Sequence, residues 1–396
     1  MPASNLGSTV SRRPRVALIV ETSLASGRDI LHGIARYVHE HGPWSIYHEP
    51  RSLEEMVPRW LKNWNGAGII ARIQNRQIAK AVAEVGLPTV DVLGVVPDCG
   101  FPLVHVDDAA IGRAGAEHLL ERGFRHFGFV SIEGEIWSRN RGQSFAERVA
   151  ADGHVCDTLT IARRSARSGS WERYEADLAH WLTQLPKPAG IMIASDQLGT
   201  ALLEACRRAE VAVPDDVSVI GVDNDEPLCL VSDPPLTSIW PNHAQVGYEA
   251  ARLLDRLMQG QAAPSEPVYL SPGNIITRLS TSTLAVEDRV IASAARYIRE
   301  HDCAGINVAD VVRQTDVCRS VLQRRFKDAF RRTIHDEIVQ TRLARAKELL
   351  RDTELPLALI ATKAGFQHQE YMGAVFKQRL NTTPARYRTD ARQENR

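Results

Sequence analysis

Four places in this sequence put carboxylates, amides, hydroxyls or a guanidinium directly after an apolar run of strand length. They are Ser23 to Arg28, Asp107–Asp108, Ser195–Asp196 and Asp223–Asn224. Such groups donate and accept hydrogen bonds side by side, which suits a polyhydroxylated ligand. Asp and Asn are also favoured just before helices, so a cap is the competing reading for each acid and amide. A fifth place lies near the end, in "GFQHQEYMGAVFKQRLNTTPARYR" (365–388). There His368, Gln369 and Glu370 open a short helix whose apolar residues, Tyr371, Met372, Val375 and Phe376, recur at helical spacing. Imidazole, amide and carboxylate tips at the start of such a helix are groups that can read base edges in a DNA groove.

Other constellations carry less. His39 and His41 lie close to Glu40 and His48 at a helix end, without the two-face geometry of a metal site. The six cysteines are scattered and form no C-x-x-C pair, so they read as reduced, incidental thiols. A phosphate loop, a dinucleotide fingerprint and a nucleophile elbow are all missing. No catalytic residue, metal or cofactor is expected.

The elements that must position these groups follow from periodicity. From Arg15 onward, apolar runs such as "RVALIV", "AGIIA", "PTVDVL", "HFGFVS", "AGIMIASD" and "VSVIGVDN" alternate with segments of helical spacing. Among the latter are "GRDILHGIARYVHEHG", "LEEMVPRWLKNW", "NRQIAKAVAEVG" and "QLGTALLEACRRAE". Strands buried on both faces and alternating with helices imply parallel α/β sheets. Two such sets, one on each side of about residue 110, imply two similar lobes. Ligands of open α/β sheets bind beyond the carboxyl ends of the strands, where the four polar groups fall.

At 396 residues the chain is too long for one core. Its net charge is zero, but from Val286 onward 21 Lys and Arg face 15 Asp and Glu, against 27 and 33 in the rest. A basic tail after an acidic body points to a polyanionic partner for the tail. "NVADVVRQTD" followed by "CRSVLQRRFKDAF", and "PLALIATKAG" followed by "HQEYMGAVFKQRL", each read as helix, turn, helix, with the long helix "TIHDEIVQTRLARAKELLRD" between them. The first fourteen residues are polar and small, so a disordered tail, no leader peptide, no membrane partner and a cytoplasmic protein are expected.

The segments "HVDDAAIG", "RGFRHFGFV", "RGQSF", "IMIASDQLGTALLEA", "VSVIGVDND", "PPLTSIWPN" and "ITRLST", in that order, resemble the effector domain of LacI/GalR-type repressors over residues 15–283. That resemblance implies a two-lobed, periplasmic-binding-protein-like sugar sensor. It implies ligand contacts from Arg141, which precedes Ser144 and Phe145, and from Asp223 and Asn224; for Asp196 and Asp107 cap and ligand contact stand level. Trp137 and Trp240 could cover the less polar face of a sugar. A LacI-type headpiece does not fit before Arg15, so a DNA reader is expected elsewhere.

The tail supplies it. "IATKAGF", "YMGAVFKQRL" and "TTPARYR" resemble the AraC/XylS-type double helix-turn-helix domain over residues 287–388. Matched position by position, the resemblance implies base contacts from Ser320, Gln323 and Arg324 in the first reader and from His368, Gln369 and Glu370 in the second. Arg325, Lys327 and Lys377 are expected on phosphates. Two departures stand in the first reader: Asp316 occupies a turn position where Gly is common, and Cys318 replaces the usual Ser cap. Asp tolerates the left-handed conformation such a turn uses.

A LacI-type body ahead of an AraC-type tail, with "YIREHDCAGINV" at the junction and "TIHDEI" beyond it, resembles the XylR-type xylose-operon activators. The implied organisation is a tail at 1–14, an effector domain at 15–283 and a DNA-binding domain at 284–396. The implied function is a sugar-responsive transcription activator. D-xylose is the leading effector, a homodimer and RNA polymerase are partners, and double-stranded DNA is the target. A carbohydrate-processing enzyme, or a DNA-binding protein whose body only dimerises, are the other readings.

Overall fold

The computed structural model describes residues 13–52, 56–162, 171–283, 288–301, 304–353 and 355–393. The tail expected at 1–14 lies outside these residues up to residue 12, as do Cys303 and residues 284–287 of the junction. The chain divides into two compact units, Met1–Thr283 and Leu284–Arg396.

In the first unit the chain runs β1 (Arg15–Ile19), α1 (Ala25–His41), β2 (Ser45–His48), β3 (Gly68–Ala71), α2 (Arg76–Val85), β4 (Thr89–Asp91) and β5 (Val104–Val106). The second lobe adds α3 (Asp108–Leu120), β6 (His126–Ile132), α4 (Ile136–Ala151), β7 (Cys156–Ile161), α5 (Trp171–Gln184), β8 (Ala189–Ile193), α6 (Gly199–Arg208), β9 (Val217–Val222), α7 (Glu226–Val231) and β10 (Thr237–Ile239). The chain then returns through α8 (His243–Met258) and β11 (Val268–Leu270) and ends in β12 (Ile275–Ile276).

One sheet has the order β2-β1-β3-β4 and is parallel throughout. A two-stranded parallel pair joins β11 to β5. The other sheet has the order β12-β10-β9-β8-β6-β7 and is parallel except for β12. The inner strands are apolar because both faces are covered: β1, β3, β8 and β9 bury nearly every residue. The two lobes are therefore not split by a single cut near residue 110. The chain crosses between them at 106–108, 240–243 and 271–274, and α8 and β11 pack with the first lobe.

The α1–α8 contact fixes the start of α8. A Cβ on Gly33 would meet the Ala244 carbonyl oxygen at 1.8 Å, and one on Gly247 would meet that of Ile30 at 2.0 Å. Only glycine lets these helices approach so closely. The helix expected over "LEEMVPRWLKNW" is corrected. Residues 53–55 lie outside the described set, and the remainder forms only a 3₁₀ turn at Arg59–Asn63 behind Pro58. Proline lacks an N–H and pushes the residue before it toward extended backbone.

The second unit is all helical: α9 (Arg289–Glu300), α10 (Val308–Arg313), α11 (Arg319–Phe330), α12 (Ile334–Asp352), α13 (Leu357–Lys363), α14 (Gln369–Leu380) and α15 (Pro384–Gln393). It has two cores. Ile291, Ile298, Val311, Leu322, Phe326 and Phe330 join Ile334 and Ile338 of α12. Ile360, Phe366, Met372, Val375 and Phe376 join Val339, Leu343, Ala346 and Leu350 of the same helix. Capping boxes at Asn307/Asp310 and Thr333/Asp336 start α10 and α12 by satisfying their first free N–H groups.

Candidate functional site

A cavity of about 530 Å³ lies between the lobes of the first unit. Its walls come from the carboxyl ends of the strands and the helix starts that follow. The first lobe contributes Leu24 and Ser26 after β1, Arg72 and Gln74 after β3, Leu93 and Val95 after β4, and His105 in β5. The second lobe contributes Ile132, Glu135, Trp137 and Arg141 around β6 and α4, Ser195 and Gln197 after β8, and Asp223 after β9. His243 enters from the crossover into α8.

Asp223 and Arg141 are brought together here. Arg141 Nε donates to Asp108 Oδ1 at 2.8 Å, its Nη1 donates to the Ala194 carbonyl at 2.7 Å, and that Nη1 lies 4.0 Å from Asp223 Oδ1. Ser195 Oγ donates to Asp223 Oδ2 at 2.9 Å, and His243 Nε2 stands 3.5 Å from Oδ1. Asp223 has a φ of 103°, a conformation that side-chain-bearing residues rarely adopt. Strain of this kind persists where the surroundings hold it, commonly at ligand sites. Its N–H is held by the Ile239 carbonyl at 3.0 Å.

The electrostatics are defined. Burial works against charge on Asp223, but the His243 hydrogen bond, the Arg141 charge and the Ser195 hydroxyl outweigh it and hold its pKa below the ordinary carboxylate value. Burial keeps His243 below its ordinary value despite Asp223, so the pair is a carboxylate beside a neutral imidazole. Asp108 is likewise held ionised: burial opposes it, and Arg141 and His105 more than offset that. On the opposite wall, Arg72 pairs with buried Glu21 and donates from Nη1 to Ser26 Oγ at 3.0 Å. Among the described residues, Nδ1 of His105 and of His243 lacks a hydrogen-bond partner, although both side chains are buried and each Nε2 faces a carboxylate, Asp108 at 3.6 Å and Asp223 at 3.5 Å. Buried polar groups are normally satisfied, so these face toward something that would satisfy them.

Trp137 lines the cavity, with the Arg141 guanidinium 4.8 Å from its ring centre and its own Nε1–H donated to Glu135 at 2.8 Å. Trp240 is not in the lining; it packs over Gly273 at the third crossover. Three other expected contacts also fall outside the lining. Asp107 caps α3 by accepting from Ala110 N at 2.8 Å. Asn224 accepts from Arg278 Nη2 at 2.8 Å. Asp196 is turned away beneath the turn into α7, where it accepts from Asp225 N at 2.9 Å and from Ser238 Oγ at 2.8 Å. None of the three lines the cavity: Asp107 serves as the cap, and Asn224 Oδ1 and Asp196 are engaged by the protein's own groups.

Asp196 has a consequence for stability. Burial first, then the Asp223 charge, push its pKa up to about 8. An unfolded aspartate titrates at about 3.9. Between those values the folded state keeps a proton that the unfolded chain has released, so this group's contribution is lost as pH rises through the window. Asp196→Asn is expected to flatten the fall in unfolding temperature between about pH 5 and 8. An unchanged slope, read by a thermal melt at each pH, would place the proton elsewhere.

The second unit displays its expected readers. Ser320, Gln323, Arg324 and Lys327 are exposed on α11, and His368, Gln369, Glu370 and Lys377 are exposed at and along α14. Arg325 differs in facing Asp288, the cap of α9, at 3.4 Å. The two turns also differ. Gly365 takes φ 76° before α14, whereas Asp316 has no positive φ, so the left-handed turn expected at Asp316 is not used. Cys318 stands at the start of α11 without accepting from the helix N–H groups; its Sγ lies 3.3 Å from Ser320 Oγ instead. Among the described residues no helix is long and apolar enough to cross a membrane.

Comparison with known proteins agrees with both units. The XylR N-terminal domain matches residues 15–104, the periplasmic binding protein-like domain residues 116–281, and a helix-turn-helix domain residues 311–390. The chain is 31% identical over 389 residues to the xylose operon regulatory protein of Escherichia coli K12, covering 96% of this chain and 97% of that protein. It is 28% identical over 382 residues to the protein of the same description from Haemophilus influenzae, covering 94% and 98%. A solved structure described as a xylose-binding transcription activator superposes with a TM-score of 0.79 at 29% identity, over 96% of this chain and 98% of that one.

Proposed function

The chain belongs to the xylose operon regulatory proteins, a family of transcription regulators rather than enzymes, and from that premise we propose that its cleft takes a small neutral sugar, with D-xylose as effector. The observation that carries this reading is the cavity itself. Two buried imidazoles, His105 facing Asp108 and His243 facing the strained Asp223, each keep an unfilled Nδ1, and Trp137 supplies an apolar wall. Sugar hydroxyls donate to a carboxylate and exchange donor and acceptor roles with imidazole nitrogens. Each arginine at the cavity is already matched, Arg72 by Glu21 and Arg141 by Asp108, which leaves little cationic capacity for a sugar phosphate.

Closure around the sugar would carry the signal. Arg28 on α1 lies 3.7 Å from Asp225 at the start of α7, so the lobes already meet across the mouth of the cleft. A ligand touching both walls binds the closed form more tightly and shifts the population toward it. The C-terminal unit would read DNA with α11 and α14, base edges falling to Ser320, Gln323, Arg324, His368, Gln369 and Glu370. Lys327 and Lys377 would anchor phosphates, as Arg325 would if it left Asp288. The 19 residues of α12 hold the two readers apart over about 28 Å of helix. That length suits major-groove segments about one turn apart. A homodimer acting in the cytoplasm on repeated half-sites and contacting RNA polymerase completes the proposal.

Calorimetric titration of the full chain tests it. D-xylose is expected to bind saturably, and L-arabinose, D-ribose and D-glucose more weakly; xylose 5-phosphate is expected to give no heat. Heat from another sugar alone would keep the sensor and change its effector. Silence with every sugar would make the body a dimerisation module.

A further inference from the structure

The two readers are the same element laid down twice. A shift of 50 positions carries Leu322 onto Met372 and Phe326 onto Phe376, core for core. It carries the C-cap Arg331 (φ 55°) onto Asn381 (φ 52°), so the helices end alike as well. The exposed faces do not match. Gln323 and Arg324, in the middle of α11, correspond to Gly373 and Ala374 in α14, while Lys327 corresponds to Lys377.

Gly373 has no internal reason to be glycine. A Cβ built there meets nothing within 4 Å, and the residue sits inside a regular helix at no positive φ. Glycine in such a place weakens the helix relative to alanine. A glycine beside an alanine on an outer face leaves the helix backbone open to close approach, with no side chain long enough to reach a base edge.

We propose that the readers are unequal. On the reading of this unit as a DNA-binding domain, α11 specifies sequence, with Arg324 on guanine and Gln323 on adenine as the bidentate pairs the groove chemistry favours. The second helix, α14, reads only with its first turn, Gln369 and Glu370, and otherwise docks by shape and by Lys377 on phosphate. The target site is therefore one strongly specified segment beside a weakly specified one, on each half.

Selection of binding sites from a random duplex library by the full chain, with D-xylose present, tests this. Two segments about one DNA turn apart are expected, the first discriminating against wrong bases by about 5- to 150-fold per contacted position and the second well below that. Arg324→Lys keeps the charge but loses the fork, so it is expected to relax the preference for guanine in the strong segment and to weaken binding to the selected site by about 5- to 150-fold, while the salt dependence holds. Gln323→Ala is expected to relax the neighbouring preference and leave the second segment unchanged. Two segments of equal strength, or a profile that Arg324→Lys leaves intact, would overturn the unequal reading alone. No enriched sequence at all would overturn the DNA-binding assignment with it.

Discussion

Asp223→Ala is expected to weaken effector binding by about 30-fold to several thousand-fold while the protein still folds. Three partners converge on this carboxylate: Ser195 at 2.9 Å, His243 at 3.5 Å and Arg141 at 4.0 Å. Truncating one member of a desolvated, hydrogen-bonded charged set costs about 2–5 kcal/mol in a binding equilibrium. That is about 30-fold to several thousand-fold in Kd. Alanine also suits the φ of 103° poorly, so Asp223→Asn is the companion variant. Asparagine tolerates positive φ and keeps one acceptor but not the charge, so its loss should be smaller. Calorimetry with D-xylose reads both, and a thermal melt separates lost binding from lost fold. Equal affinity in Asp223→Ala and the unaltered chain would remove Asp223 from the site and leave the cavity without its anionic pole.

How much of this was legible in the sequence depended on where each group sits relative to its strand. The rule that ligands lie beyond strand carboxyl ends reached Ser26, Ser195 and Asp223, because apolar runs mark those ends plainly. It could not say which of two adjacent polar residues turns inward. Asp196 follows Ser195 yet points into the turn at α7, a direction set by Asp225 N and Ser238 from distant parts of the chain. His105 was out of reach, since it stands between Val104 and Val106 and its face is set by pairing with β11, more than 160 residues on. His243 lies past a tryptophan and a proline, behind no clean strand end. Arg72, directly after "GIIA", lies where the same rule places a ligand contact.

The elements α4 and β7 escaped for related reasons. The inward face of α4 carries Ser138, Arg141 and Ser144 beside Phe145 and Val149, so its apolar periodicity is broken by the residues that serve the site. The β7 strand is the edge of its sheet and leaves most of its residues partly or fully open, without the continuous apolar run of an inner strand. The second unit was plainer. Its helices bury one face each, the pattern occurs twice, and the motifs sit on short turns whose position does not depend on remote pairing.

Arg141→Met is expected to be the most destabilising single change at the site, and its pH dependence identifies the cause. The guanidinium is 3% exposed and ties together Asp108, the Ala194 carbonyl and the field at Asp223, with the Trp137 ring over it. Methionine fills much of the volume but leaves two carboxylates without their cation. Removing one partner of a buried pair costs about 3–5 kcal/mol. For a domain of this size that lowers the melting temperature by on the order of 10 °C. In the unaltered protein the Asp108 pKa is depressed, so its contribution is present above the unfolded value of about 3.9 and is lost as pH falls through the folded one. Without Arg141, burial dominates and the same carboxylate takes up a proton more readily than the unfolded chain does. The variant's penalty should therefore be greatest near neutrality and shrink as pH falls toward 5. Urea unfolding of both proteins at pH 7 and pH 5 measures this. A penalty that is the same at both would mean that Arg141 stabilises the cleft through its packing on Trp137 rather than through its charge.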